Sequence, residues 1–410
     1  MPSQAARRAT RRTRVVIASR IFAPEPSAAS FRLRALANAY SKRGVDVRVL
    51  TSRPPREYAD VDPGVADTVD LRRAPVLRDA DGYVRGYAQY MSFDVPLLLR
   101  LLCTRKLALV VTEPPPTTGA VVRLVCMLRR IPYAYYAADI WADALGAVET
   151  PGIVAKAVRG LEQFALRGAS HVLSVSEGVT SRLHELGIVR NVHTVGNGID
   201  LAAFAEEGPR ETVDGPYFLY AGTASEVHGA GIFLEAFQEL WKRRPDVRLV
   251  YVGQGSERPH IERAAAELPS GTVRFLPRLE PEAVASWLRG SVASLASLRP
   301  GQGYDFAFPT KLYASAATGT PAIFAGSGPG ANFVAAGRAG FVSDYTVRDV
   351  ADAMERALEC AAAASSEAER HRIAKWAHQE WGLDRVAQRA VNSIEIAVTP
   401  SRPQLKGHGA

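Results

Sequence analysis

The sequence predicts an α/β protein made of two doubly wound, parallel-sheet domains in tandem. Three observations carry this. The chain has 410 residues, more than one hydrophobic core usually organises. Apolar runs of strand length alternate with segments of helical spacing, and the alternation occurs twice, on either side of a polar interruption.

In the first series, strands are expected at 15–18, 45–50, 108–111, 133–137 and 172–175, with helical patterns such as 31–43 and 153–167 between them. Strands joined through helices of this length need crossover connections and so lie parallel. The pattern then stops in AEEGPRETVDG, 205–215, which reads as a linker. It restarts with a strand at 217–221, a helix at 232–243, a strand at 248–252, a helix after Pro259, and strands at 273–276, 293–296 and 322–324. The last helical pattern, 383–397, has an apolar face but no strand to serve, and is expected to pack back on the first domain. The expected division is a basic, flexible terminus 1–13, a first domain 14–205, a linker 206–215, a second domain 216–382, the returning helix, and a flexible tail 398–410. Ligands of such sheets bind at the carboxyl ends of the strands, so two domains facing each other would enclose a cleft.

Composition narrows the function classes. With 47% hydrophobic and 22% charged residues the chain is not globally disordered. The formal charge of +8 sits at the ends: Arg7, Arg8, Arg11, Arg12 and Arg14 come before any acid, and Arg402 and Lys406 lie in an acid-free tail, leaving the body close to neutral. This is not the footprint of a nucleic-acid-binding domain. The ends read either as solvated termini or as contacts with anionic lipid headgroups. Cys103, Cys126 and Cys360 form no CxxC pair, so neither a zinc site nor a disulfide framework is indicated, and they are expected to be reduced core residues. No uninterrupted apolar stretch reaches membrane-spanning length, and the first twenty residues lack a hydrophobic signal core. The expected location is the cytoplasm, at most at the inner face of the plasma membrane.

Several turns fall where chemistry is expected. The first strand leads into RIFAPEPSAAS, whose small residues Ser27, Ala28, Ala29 and Ser30 precede a helix and leave its free N–H groups accessible to phosphate. An N-cap serine explains the same residues structurally. YAGTASEVHGAG puts Gly222 directly after a strand, with Thr223 and Ser225 beyond, and VGQGSERP repeats the arrangement with Gly253 and Gly255. FPTKLYASAATGTPAI places Thr310 and Lys311 at the opening of a helix. A lysine there opposes the helix macrodipole unless an anion is present, which makes Lys311 a phosphate-binding candidate. A solvated surface lysine is the plainer account.

The ordered set of first-strand loop, DIW segment, SVSEGV, VGNGID, YAGTASEVHG, VGQGSER and FPTKLYASAATGTPAI resembles the family 4 glycosyltransferases of the two-Rossmann-domain GT-B fold, from Arg14 to about Ala397. TEPPPTTGAV followed by IPYAYYAADIWADAL is similar to the bacterial branch that builds surface polysaccharides and glycolipids. The resemblance implies retaining transfer of a sugar from a nucleoside diphosphate donor, usually a UDP-sugar, to a hydroxyl acceptor, lipid-linked, polysaccharide or natural product, without a metal or other cofactor. It implies a donor diphosphate near Gly222, Thr223, Thr310 and Lys311, with base and ribose near Leu276, Arg278 and Asp305. The acceptor would enter near Ser27, Ala28, Ala29 and Arg32, with Asp139 orienting or deprotonating it. A buried, satisfied aspartate at a strand end accounts for Asp139 equally well.

The chain departs from that pattern in places. Thr223 and His228 stand where many members carry an Arg and a Lys on the diphosphate, and Ala314 stands where an acid is usual. Ala138 replaces a common histidine, and Ala28 and Ala29 replace two glycines. These losses put more of the diphosphate charge on Lys311, with Arg299 or Arg278 as helpers. They also keep open a second reading, a catalytically weak glycosyltransferase-like subunit that binds a sugar nucleotide or supports a partner enzyme. A sugar-nucleotide epimerase of the same shape fits less well, because its acid and histidine arrangement is not found.

Overall fold

The computed structural model describes residues 14–25, 27–79, 82, 84, 86–144, 152–302 and 304–398. The basic segment 1–13 and residues 399–410 of the expected tail lie outside the described residues. The chain divides into two compact units, the first containing residues up to Val175, Gly187–Val195 and the chain from Val386, the second Ser176–Leu186 and Gly196–Arg385.

The first unit is built from β1 (Arg14–Ala18), α1 (Ala28–Lys42), β2 (Asp46–Ser52), β3 (Val69–Ala74), α2 (Tyr87–Cys103), β4 (Leu107–Thr112), α3 (Pro116–Arg129), β5 (Tyr133–Ala137), α4 (Trp141–Ala144), α5 (Gly152–Gly168), β6 (His171–Ser174) and, beyond α6 (Glu177–Glu185) of the second unit, β7 (Val192–Thr194). Its seven strands run in the order β3-β2-β1-β4-β5-β6-β7, and every pair is parallel. Strands β1, β4 and β5 are apolar on both faces because helices cover both sides of the sheet. Phe93 and Leu97 of α2 and Val122 and Val125 of α3 pack on Val16 and Val110, each contributing about 1.5–3 kcal/mol of burial.

The second unit continues with β8 (Tyr217–Ala221), α7 (Gly231–Trp241), β9 (Arg248–Val252), α8 (Arg258–Ala265), β10 (Val273–Leu276), α9 (Pro281–Gly290), β11 (Ala293–Ser297), α10 (Lys311–Ala317), β12 (Ala322–Ala325), α11 (Pro329–Gly337), β13 (Gly340–Ser343), α12 (Val347–Ala362), α13 (Ser366–Trp381) and α14 (Leu383–Val398), of which the residues from Val386 belong to the first unit. The parallel sheet has the order β10-β9-β8-β11-β12-β13. In both sheets the strand order reverses beside the first strand of the unit, at β1/β4 and at β8/β11, which is where open α/β sheets leave a crevice for ligands.

Three strands went unrecognised from sequence: β3, β7 and β13. β3 and β13 are edge strands with half-exposed, partly charged or glycine-containing sequences, VDLRRA and GFVS, and β7 has only three residues. An edge strand needs little apolar periodicity, because its outer side faces no other strand.

The stretch expected as a linker is instead bound to the second unit. The buried Arg289 guanidinium donates to Ala205 O and Pro209 O at 2.8 Å each, and Glu211 N–H donates to Ser286 O at 3.1 Å. The cysteine expectation is corrected as well: Cys126 is buried, but Cys103 and Cys360 are exposed. They lie on the outward faces of α2 and α12, which a reading of apolar runs alone does not separate from the inward ones.

Candidate functional site

In the second unit, polar groups gather at the carboxyl ends of β8, β9 and β11. β8 runs into Gly222, whose φ of +133° is reserved for glycine in practice. Lys311, the first residue of α10, leans over this turn: a Cβ on Gly222 would stand 3.3 Å from its Nζ. The ammonium lies 3.7 Å from the centroid of the Tyr220 ring. The stem of Lys311 is partly open to solvent, but Nζ is buried and has no hydrogen-bond partner. Burial pushes its pKa down to about 7. The cation therefore rests on an aromatic face and lacks an anion.

The loop from β8 to α7 is tied down around it. Ser225 Oγ and His228 Nδ1 are 2.6 Å apart, Ser297 Oγ donates to His228 O at 2.6 Å, and Tyr345 OH donates to Gly229 O at 2.7 Å. Glu257 accepts from Ala230 N–H at 2.8 Å with one oxygen and from Arg299 at 2.9 Å with the other. Burial first, and the Lys311 charge second, push the His228 pKa down to about 4. His228 is therefore neutral and supplies no positive charge. Arg299 is committed to Glu257 and also bonded to Tyr345.

The other residues expected on the donor side are placed as follows. Thr223 and Thr310 are exposed beside Gly222 and Lys311 in sequence, and Thr310 makes no side-chain capping bond. Leu276 O already accepts from Gly253 N–H at 3.2 Å and from Arg258 at 2.7 Å. Arg278 and Asp305 are exposed. Thus Gly222 and Lys311 are brought together by the fold, whereas no contact joins Arg278 or Asp305 to them among the described residues.

In the first unit, Ser27 caps α1 by accepting from Ser30 N–H at 3.1 Å, Ala28 is exposed and Ala29 half-buried. Arg32 points inward: it pairs with Glu113 at 2.8 Å, both side chains about 95% buried, and lies over the Tyr136 ring at 4.7 Å. Ser19 Oγ donates to Glu113 at 3.0 Å. Ser19, Glu113 and Tyr136 follow or end β1, β4 and β5, so this polar network sits at the β1/β4 reversal. Asp139 is exposed and accepts from Ile140 N–H at 2.8 Å. Protein crowded around it raises its pKa, and Asp143 adds to the rise.

Sequence reasoning passed over Tyr220, Glu257, Glu113 and Ser19. An acid directly after an apolar parallel strand, as Glu113 follows LALVVT, is the signal that could have found one of them. Among the described residues no group of three or more His, Cys, Asp or Glu is arranged to hold a metal ion.

Two parallel α/β domains, each with a polar cluster at its strand-order reversal, define the GT-B class of architecture. Residues 27–198 match the glycosyl transferase 4-like domain and residues 215–360 the glycosyl transferases group 1. The chain belongs to the family 4 glycosyltransferases of the GT-B fold. It is 25% identical over 252 residues to an alpha-D-kanosaminyltransferase of Streptomyces kanamyceticus, a match covering 56% of this chain and 65%, less than two thirds, of that relative. Similar solved structures include HepE of Anabaena in complex with UDP, with a TM-score of 0.67 and 13% identity over 94% of this chain and 100% of that one. A sucrose-phosphate synthase from Thermosynechococcus elongatus has a TM-score of 0.69 and 17% identity over 95% and 100% of the respective chains. At these identities the likeness is one of fold.

Proposed function

We propose that the protein transfers a sugar from a nucleoside diphosphate donor of the UDP type to a hydroxyl acceptor, with retention and without a metal. The observation that carries this reading is the buried Lys311 ammonium without a hydrogen-bond partner. An unpaired buried cation is costly, and an anion at the Gly222 turn removes the cost. A diphosphate there would meet Lys311 and the hydroxyls of Thr223 and Thr310. HepE in complex with UDP and with UDP-glucose provides a precedent for such a donor on this fold.

In the proposed reaction the bond from the anomeric carbon to the diphosphate oxygen breaks and a bond to the acceptor oxygen forms. The acceptor proton passes to the departing phosphate oxygen or to Asp139, whose raised pKa suits it to receive a proton. Negative charge grows on the leaving diphosphate, so a fixed cation at Lys311 lowers the barrier more than it tightens ground-state binding. The acceptor is assigned to the first unit, near Ser27, Ala28 and Ala29. Arg32 holds Glu113 and acts there through positioning. Lipid-linked and natural-product acceptors both suit this reading, the latter having a counterpart in the kanosaminyltransferase.

The neutral His228 and the neutralised Arg299 favour a second reading, a nucleotide-sugar-binding subunit of low turnover. UDP release from a set of UDP-sugars, with and without acceptors, separates the two. Acceptor-dependent release that is lost in Lys311→Ala is expected. Release that survives Lys311→Ala unchanged overturns the assigned phosphate site, and donor binding without any release supports the second reading.

A further inference from the structure

Helices α2, α3 and α5 connect successive strands β3 through β6 and lie side by side in the first unit. Their inner faces make the core described above. Their outer faces are unlike an ordinary protein surface. Tyr87, Met91, Val95, Leu99 and Leu102 form an exposed stripe at helical spacing along α2, and Leu124, Met127 and Leu128 do the same on α3. Met127 and Leu128 are 60% and 66% exposed, and Ile153 of α5 is 86% exposed. Exposed large hydrophobics on these three helices outnumber those on all other described residues. Singly scattered ones need no explanation, but their concentration on three adjacent helices does.

Among the described residues, the exposed charges on these three helices and directly after α2 and α3 are all positive. Lys156, Arg159 and Arg167 are exposed on α5, Arg105 and Lys106 follow α2, and Arg130 follows α3. The acids on the three helices are Asp94 and Glu162, and both are buried. Asp94 accepts from Thr118 and Glu162 from Trp141 N–H. Solvated surfaces normally mix both signs. None of the six exposed cations has a carboxylate partner among the ion pairs of the described residues.

We infer that the outer face of α2, α3 and α5 docks on an anionic lipid bilayer. Aliphatic side chains would enter the boundary of headgroups and acyl chains while the surrounding Lys and Arg meet lipid phosphates. A folded protein partner would call for shape-fitted aromatics and a hydrogen-bonding rim. This face offers mostly flexible aliphatic chains and cations without acids, which suits a fluid, negatively charged surface. Among the described residues no helix is long and apolar enough to cross a membrane, so the contact is peripheral. The inference is independent of the donor site and places the membrane contact on a folded surface, not on the basic terminus 1–13.

Sedimentation with phosphatidylcholine vesicles, with and without phosphatidylglycerol, tests it on the full chain. Binding should require the anionic lipid and weaken with salt. Each nearby cation contributes about fivefold, so Lys156→Glu with Arg159→Glu should reduce binding at least about tenfold. Met127→Glu with Leu128→Glu should do the same, with an unchanged circular dichroism spectrum and melting profile in both as the control for folding of the first unit. Replacing Arg7, Arg8, Arg11 and Arg12 by alanine should cost less than either pair. Absence of binding by the unaltered protein, undiminished binding in either pair, or a larger loss from the terminal arginines overturns the inference. A dimer that Met127→Glu with Leu128→Glu dissociates would also overturn it, by assigning the face to a second copy of this chain.

Discussion

Lys311→Met should make the protein more stable and bind its donor less well, a combination that a surface lysine or a purely structural one does not produce. Burial lowers the ammonium from its usual 10.5 to about 7. The sign follows from proton counting. Between pH 7 and 10.5 the unfolded chain holds a proton that the folded one has released, so donor-free stability rises with pH across that window and is lowest below it. At about 1.4 kcal/mol per pH unit, the upper bound on the cost of the charged form is about 5 kcal/mol. The Tyr220 face at 3.7 Å and relaxation recover part of that, so replacing the cation with a methionine of similar length should stabilise by about 1–3 kcal/mol below pH 7. That corresponds to a rise of a few degrees in the melting temperature of the second unit. The same substitution removes a charged hydrogen bond to the diphosphate, worth about 1.5–3 kcal/mol, so affinity for UDP-glucose should fall about 10- to 100-fold. Affinity of the unaltered protein should be flat below pH 7 and decline above it, because the diphosphate binds the protonated amine. Calorimetric titration with UDP-glucose at several pH values, paired with thermal melts of both proteins, gives all three readouts. Equal affinities, or a methionine variant that melts lower at pH 6, would refute the argument.

Two further predictions follow from buried charge. Glu113→Ala takes the carboxylate from Arg32 in a site where both side chains are almost fully buried, and should destabilise the first unit by about 3–5 kcal/mol; a loss under about 1 kcal/mol in urea unfolding would show that the pair is not what holds this crevice. His228 is neutral in the fold with a pKa of about 4 against an ordinary 6.5, so the unfolded chain takes up a proton first and stability falls as pH drops through that interval. His228→Asn should flatten that part of the stability profile, and an unchanged acid limb would contradict the assignment.

Much of the fold was legible because parallel sheets covered on both sides demand continuous apolar strands. RVVIA, LALVVT and YAYYA declare themselves, whereas the edge strands VDLRRA and GFVS do not, since an edge carries no such demand. The supposed linker shows the converse failure: AEEGPRETVDG is polar, yet Arg289, some 80 residues further on, holds its carbonyls against the second unit. Local composition reports how a segment meets water and says nothing of a distant guanidinium.

The sequence by itself determined the two α/β domains, the glycine turn after β8, and a lysine misplaced at the start of a helix. These are local properties, written in periodicity and in the chemistry of neighbouring residues. Only the tertiary structure decided that Lys311 lies on Tyr220 beside Gly222, that Arg32 is spent on Glu113, that Arg299 is spent on Glu257, and that α2, α3 and α5 turn one cationic, aliphatic face outward. Each of those facts depends on which strands become neighbours, and hence on the reversal of order in each sheet. A charge acquires its energy from its surroundings, and the surroundings of these groups are assembled from segments that lie 40 to 90 residues apart.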